Sequence, residues 1–386
     1  MRRWVTIVAI IVTVASMTCD KDARADMPRL SPDTAGGLVS GATVITVTSL
    51  SDAGPGTLRD ALSRAGPRVI LFGISGYVDL VKDLIIRQPN VTIAGQSAPS
   101  PGVILRCAGL QVRTHDVVVE HIGVYPGSSG DPKIDYKRDG ISVIGIPGKD
   151  KDVRDVVLRN VSAGWATDEN MSVAGGASRS VWIEHSLIAE GLRHASHPVS
   201  LREKSPTGHS MGLLVGPGSR EIAIVGNLFV SNGGRNPATS SGTSVVVHNN
   251  GFVNTAAISQ VTSARDYSGE LTLSYTDNVV RPGGDAACDN YMLRISKKDV
   301  PKLAGSQIYA AGNVIQQVRG SKCKLGDIQP EIETFRKTTP PIGIGKWSTI
   351  APTALIDNLK GVAGMRPLDR NPIDRRIVDS IDFGAK

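Results

Sequence analysis

The chain has 386 residues, 40% hydrophobic, 20% charged and only 4% aromatic, with 42 glycines and 22 prolines. That apolar content can build a large core and excludes wholesale disorder, while so much glycine and proline argues against a helical bundle. The formal charge of +7 suits a polyanionic partner without choosing among nucleic acid, anionic lipid and acidic polysaccharide.

Residues 1–25 carry Arg2 and Arg3, an apolar stretch from Trp4 to about Met17, and the pattern Ala23-Arg24-Ala25. The stretch is short for a bilayer span, and the pattern is that of a cleaved signal peptide. The expectation is a secreted or periplasmic protein whose mature part, residues 26–386, is one domain and a monomer. Its charge falls to +5, and it has no other apolar run long enough for a membrane. Export permits disulfides. Cys288 and Cys323 lie in polar, loop-like sequence near late β segments and are predicted to pair, whereas Cys107, in the apolar run 103–108, is predicted to be buried. No CxxC or His/Cys cluster marks a structural zinc site.

Along the mature chain, VITVTS (44–49) reads as a strand, and TLRDALSRAG (57–66) as the one convincing amphipathic helix. RVILFGI (68–74), DLIIR (83–87), NVTIAG (90–95) and GVILRC (102–107) follow as strands. From residue 117 onward, β-branched runs begin at 117, 156, 181, 222, 245, 271 and 308, with steps of 39, 25, 41, 23, 26 and 37 residues. The shorter steps suit one coil of a stacked solenoid, and the longer ones coils carrying insertions. A β-sandwich would instead show two-residue Asn-Gly or Asp-Gly turns between neighbouring strands. His121, Asn160, His185, Asn227, Asn250 and Asn313 end successive runs. They are expected to stack coil upon coil and satisfy turn amides rather than bind a ligand.

Several blocks occur in an order that resembles the pectate lyase family. They are VTSLSDAGPGTLRDAL (47–62), RDGISV (138–143), WATDENMSV (165–173), SLIAEGL (186–192), HSMGLLVG (209–216), NLFVSNGGRNP (227–237) and RPLDRNPIDRRIVDSI (366–381). The resemblance spans roughly residues 42–381. It implies an all-β fold, a right-handed parallel β-helix with a short N-terminal capping helix and long loop insertions. It also implies a polysaccharide lyase that cleaves a uronate polymer by β-elimination with the aid of Ca2+.

Elimination removes the weakly acidic C5 proton of a uronate, and a hard divalent cation on the adjacent carboxylate stabilises the charge that develops. By resemblance Asp139 and Asp168 are metal ligands, with Glu169 or Glu190 completing the set, and Arg235, two residues before a proline, is the catalytic arginine. Lys204 and His209 are candidates for binding substrate. His194, His197 and His209 share one insertion with no standard metal spacing and are expected to be solvated.

The chain also departs from the family pattern. Ser240 stands where a second arginine is usual, and Met211 stands where some relatives have lysine. These departures keep two alternatives open, a carbohydrate-binding β-helix with impaired catalysis and a β-helix glycoside hydrolase. Against the hydrolase, Asp168 and Glu169 as strand neighbours would point in different directions. Nucleic-acid binding is not expected, because the basic residues are scattered and aromatics are few.

Overall fold

Among the described residues twenty-eight strands form three sheets of ten, nine and nine, and each full coil adds one strand to each sheet. The computed structural model describes residues 34–150, 152–202, 208–264, 267, 269–283, 291–316, 325–343 and 347–383. The predicted signal segment, Lys204, Cys288 and Cys323 lie outside them. The strand pairings are parallel throughout, and the architecture is the right-handed parallel β-helix that the repeats and the resemblance imply.

The register explains why the runs recur. Val117, Val156, Val181, Ile222 and Val245 are direct neighbours in the first sheet and are fully buried. The column continues through Leu273 and Ile308, so in the run beginning at 271 the strand starts at Thr272 and the column residue is the third of the run. These residues form one interior stack, worth roughly 1.5–3 kcal/mol per fully buried aliphatic side chain. At the N-terminal end the stack is closed by Arg68, which pairs with Val91 and is 1% exposed. Its guanidinium donates to the carbonyls of Ala61, Leu62, Gly66, Gln88 and Pro89, and so ties down the end of the predicted helix, observed at Leu58–Ser63 with Thr57 as N-cap.

The six stacking residues divide into two columns. His121, Asn160 and His185 have φ of 55°, 47° and 47° and occupy the left-handed position of the turn between the first and second sheets. Asn227, Asn250 and Asn313 follow one position later and, with Asn278, form the buried amide ladder. In it the Oδ1 atoms of Asn250, Asn278 and Asn313 each accept both the backbone N–H and the side-chain amide of the asparagine one coil before, and Asn227 Oδ1 accepts the Ser186 N–H. Both columns are structural.

Three sequence expectations need correction. Cys107 is exposed at φ 67°, its thiol beside Asp79, because the chain turns there before its side chain can enter the core. Two C-terminal helices, Pro352–Val362 and Pro372–Phe383, join the single one expected. They cover the outer face of the second sheet, where Leu355, Ile356, Leu359, Ile377 and Ile381 pack on Leu187, Leu228 and Val253. Their anchor is Asp374, fully buried, which accepts from Tyr125 Oη at 2.6 Å and Ser162 Oγ at 2.5 Å. Asp374→Ala strands both donors and is expected to cost about 3 kcal/mol, read as a lower denaturation midpoint with the β-rich circular dichroism unchanged under native conditions. Third, the histidines of the insertion are not all solvated, as the site makes clear.

Candidate active site

The C-terminal helices cover the second sheet, and the third sheet carries the chemistry. Strands Ile141–Ile144, Glu169–Ala174, Met211–Val215 and Ala238–Ser240 lie side by side in it. Asp139, Asp168, His209 and Arg235 sit in the turns that lead into these four strands, and Glu169 opens the second of them. Residues up to 96 positions apart in sequence therefore share one end of one sheet because the coils stack in register.

Asp139 is held from three sides. Ser142 and Ser172 donate hydroxyls to its Oδ2 at 2.8 and 2.7 Å, and the Glu169 backbone N–H donates to Oδ1 at 3.2 Å. Burial, then the neighbouring Asp168 charge, push its carboxyl up to about 7 in spite of the two serines. The turn requires Gly140, whose absent Cβ would lie 2.4 Å from the Asn170 carbonyl oxygen. Carboxylate oxygens of Asp139, Asp168 and Glu169 all lie within 4.8 Å of one another. Asp168 belongs to a bend rather than the strand, so it and Glu169 reach the same cluster instead of diverging as alternation along a strand would require.

Arg235 pairs with the buried Glu169 carboxylate. Burial pulls its guanidinium below the ordinary arginine range, against Asp168 and Asp139, which hold it up. Its backbone has φ 53°, uncommon for a side-chain-bearing residue and a mark of a locally over-determined site. The determinants are visible. Leu213 N–H donates to the Arg235 carbonyl at 2.6 Å, and the buried amides of Asn170, Asn232 and Asn236 are joined at 3.0 and 3.1 Å. Asn170, Asn232 and Asn236 carry no assigned role in the sequence reading. The signal available was an asparagine on each side of Gly233-Gly234-Arg235. Asn232→Leu leaves its partners unsatisfied and is expected to lower kcat more than it raises KM, by releasing Arg235.

His209 and His197 are buried, contrary to the expectation of solvated loop residues, because the insertion folds back over Asp168. His209 Nε2 meets Asp168 Oδ1 at 2.7 Å, and the two imidazoles stack with centroids 3.9 Å apart. His197 Nδ1 accepts the Val199 N–H, so in the neutral ring Nε2 carries the proton and presents no lone pair to a metal. His194 is exposed. Glu190, expected as a fourth ligand, is not brought into the cluster. Arg376 grips both its oxygens at 2.7 and 2.5 Å, and Trp165 Nε1 donates to it at 3.0 Å. Burial alone would raise its carboxyl, but these bonds hold it below the usual range.

Half of the chain, 195 residues, is 30% identical to a probable pectate lyase C of Aspergillus terreus. A probable pectate lyase C of Emericella nidulans is 30% identical over 198 residues. The chain is a relative of the pectate lyases. It spans 40% of the length of these two proteins, and no family model matches it. The major cedar pollen allergen jun a 1 superposes with a TM-score of 0.58 at 16% identity, over 86% of this chain and 90% of that one. A mutant Bacillus subtilis pectate lyase gives 0.55 at 12% identity, over 87% and 95%. At these identities the structures speak for the fold. The pectate lyase resemblance seen in the ordered blocks thus has independent support.

Proposed function

We propose that the chain is an exported, calcium-dependent lyase that cleaves a pectate-like uronate polymer by β-elimination. The observation that carries this reading is the convergence of Arg235 with three carboxylates at one end of the third sheet. The donor set fits calcium, since it offers only hard oxygens, and the raised Asp139 carboxyl marks negative charge short of a counter-cation. Asp139, Asp168 and Glu169 would hold the ion, which when bound would withdraw charge from the substrate carboxylate. Arg235, already eased toward its neutral form by burial, then takes the C5 proton. Electrons of the broken C5–H bond form the C4–C5 double bond as the glycosidic C4–O bond breaks, and the leaving oxygen departs with that bonding pair and takes a proton from water. Export is supported by residues 1–25, and no helix among the described residues is long and apolar enough to cross a membrane.

The hydrolase reading is weaker on geometry. Its paired carboxyls stand about 5–9.5 Å apart, whereas these crowd within 4.8 Å, and Glu169 is engaged by Arg235. The non-catalytic reading rests on Ser240, which is 4% exposed, and on Met211, neither of which can replace a cationic substrate contact. Incubation with polygalacturonate separates the three readings. A lyase gives ultraviolet-absorbing unsaturated products, a hydrolase only new reducing ends, and a binding protein neither.

Calcium uptake should depend on pH in a defined sense. Asp139 titrates near 7 and must lose its proton to ligate, so apparent affinity is expected to rise about tenfold per pH unit up to about 7 and then level off. In chelator the same raised carboxyl makes the fold less stable as pH rises from about 4 to about 7, since ionisation is easier in the unfolded chain. Calorimetric titration in buffers of different ionisation enthalpy reads the released proton directly. Flat affinity and no proton release between pH 5.5 and 7 would remove Asp139 from the ligand set.

A further inference from the structure

The third sheet does not end at Arg235. Beyond Ala238–Ser240 it continues through Ser259–Thr262 and Tyr291–Ile295. Register carries one outward row along it, from Ser142 and Ser172 through Leu214, Ala238 and Gln260 to Arg294. The flanking Val261, Leu293 and Ile295 are buried in the core, which fixes Gln260 and Arg294 on the exterior. The row that supplies Asp139 with two serine hydroxyls thus runs on, four strands further, to a guanidinium.

An open groove of about 510 Å³ lies there, with Gln260, Arg294, Lys297 and Lys298 among its walls. Its charge is one-sided. Arg294 donates to the Gln260 Oε1 amide oxygen at 3.1 Å, and among the described residues neither it nor Lys298 meets a carboxylate. Lys297 is 83% exposed and shares Glu331 at 3.3 Å, and the wall residue Asp299 is turned to Ser263 Oγ at 2.5 Å. Gln260 is also tied by its backbone N–H to the Pro237 carbonyl, two residues from Arg235.

We propose that this groove is a remote subsite for the carboxylate of a distal sugar unit on the same uronate polymer. Arg294 supplies a planar two-donor edge for that carboxylate, with Lys298 adding charge. At ~4.8 Å per strand it lies roughly 19 Å from the strand of Glu169, a span that several linked units cover and a monomer cannot. The inference rests on the lyase reading for its ligand, but it concerns binding rather than bond cleavage.

The test is calorimetric titration of the full chain with galacturonate, oligogalacturonates of two to eight units and polygalacturonate, using wild type, Arg294→Gln and the exposed Lys298→Gln. Wild type is expected to gain about tenfold in affinity once the oligomer is long enough to bridge the two sites. Arg294→Gln should lose that gain while binding short oligomers as wild type does, and Lys298→Gln should lose part of it. Equal length dependence in all three proteins overturns the proposal. So does a gain with free galacturonate alone, which would make the groove a general anion site, and so does failure of wild type to bind any of these probes. Unsaturated products without an Arg294 effect would leave the lyase reading standing and reject the subsite. A length-dependent gain lost in Arg294→Gln, with no unsaturated product, would do the reverse.

Discussion

Arg235→Lys is expected to lower kcat about 10³-fold on polygalacturonate while substrate binding without turnover survives. Lysine is chosen because it keeps a cation beside the buried Glu169, which alanine would leave as an uncompensated charge and so confuse a chemical effect with a folding one. Its pKa of about 10.4 makes deprotonation easier than for arginine, so on acidity alone the variant would be the better base. Geometry decides otherwise. The arginine backbone is fixed at φ 53° by the Leu213 hydrogen bond and the asparagine network. A flexible ammonium on that same backbone would not place its nitrogen on the line of the C5 proton. Were Arg235 only a clamp for the substrate carboxylate, KM would rise with kcat nearly unchanged. A variant with near wild-type kcat would show that the base lies elsewhere, with His209 and Lys204 the next residues to change.

The fold was legible because its signal repeats. Most coils place a β-branched residue in the same interior column, and Val117, Val156, Val181, Ile222 and Val245 declare that column by spacing alone. Where Leu271 precedes Leu273, spacing alone does not say which leucine takes the interior place, and the structure gives it to Leu273. The site was legible in part, through the ordered blocks that carry Asp139, Asp168, Glu169 and Arg235. Glu190 shows the limit. It lies in another of the ordered blocks, 186–192, but its partner Arg376 is 186 residues away on a helix whose docking no local pattern announces. The burial of His197 and His209 was hidden for the same reason, since an insertion rich in polar residues gives no sign that it folds back onto Asp168. The Asn170–Asn232–Asn236 network was hidden differently. Asparagine in a loop has an ordinary local explanation, and only the stacking of coils joins those amides.

Asp168→Asn is expected to raise the calcium concentration needed for half-maximal activity about 100-fold, because a ligand charge is lost and affinity in such sites follows charge count. The amide oxygen still accepts from His209 Nε2, so the insertion stays in place and the circular dichroism should not change. The electrostatic consequences extend further. The Asp168 charge is one of the causes that raise Asp139, and it also holds Arg235 protonated against burial. Without it, Asp139 ionises at lower pH and the neutral form of Arg235 is easier to reach. At saturating calcium the variant should therefore recover much of its kcat, with the rising limb of its pH profile moved to lower pH. A purely structural role predicts neither effect. An unchanged calcium requirement with kcat lost at every calcium concentration would instead assign Asp168 to positioning His209 or the substrate, and would leave Asp139 and Glu169 to be tested as ligands on their own.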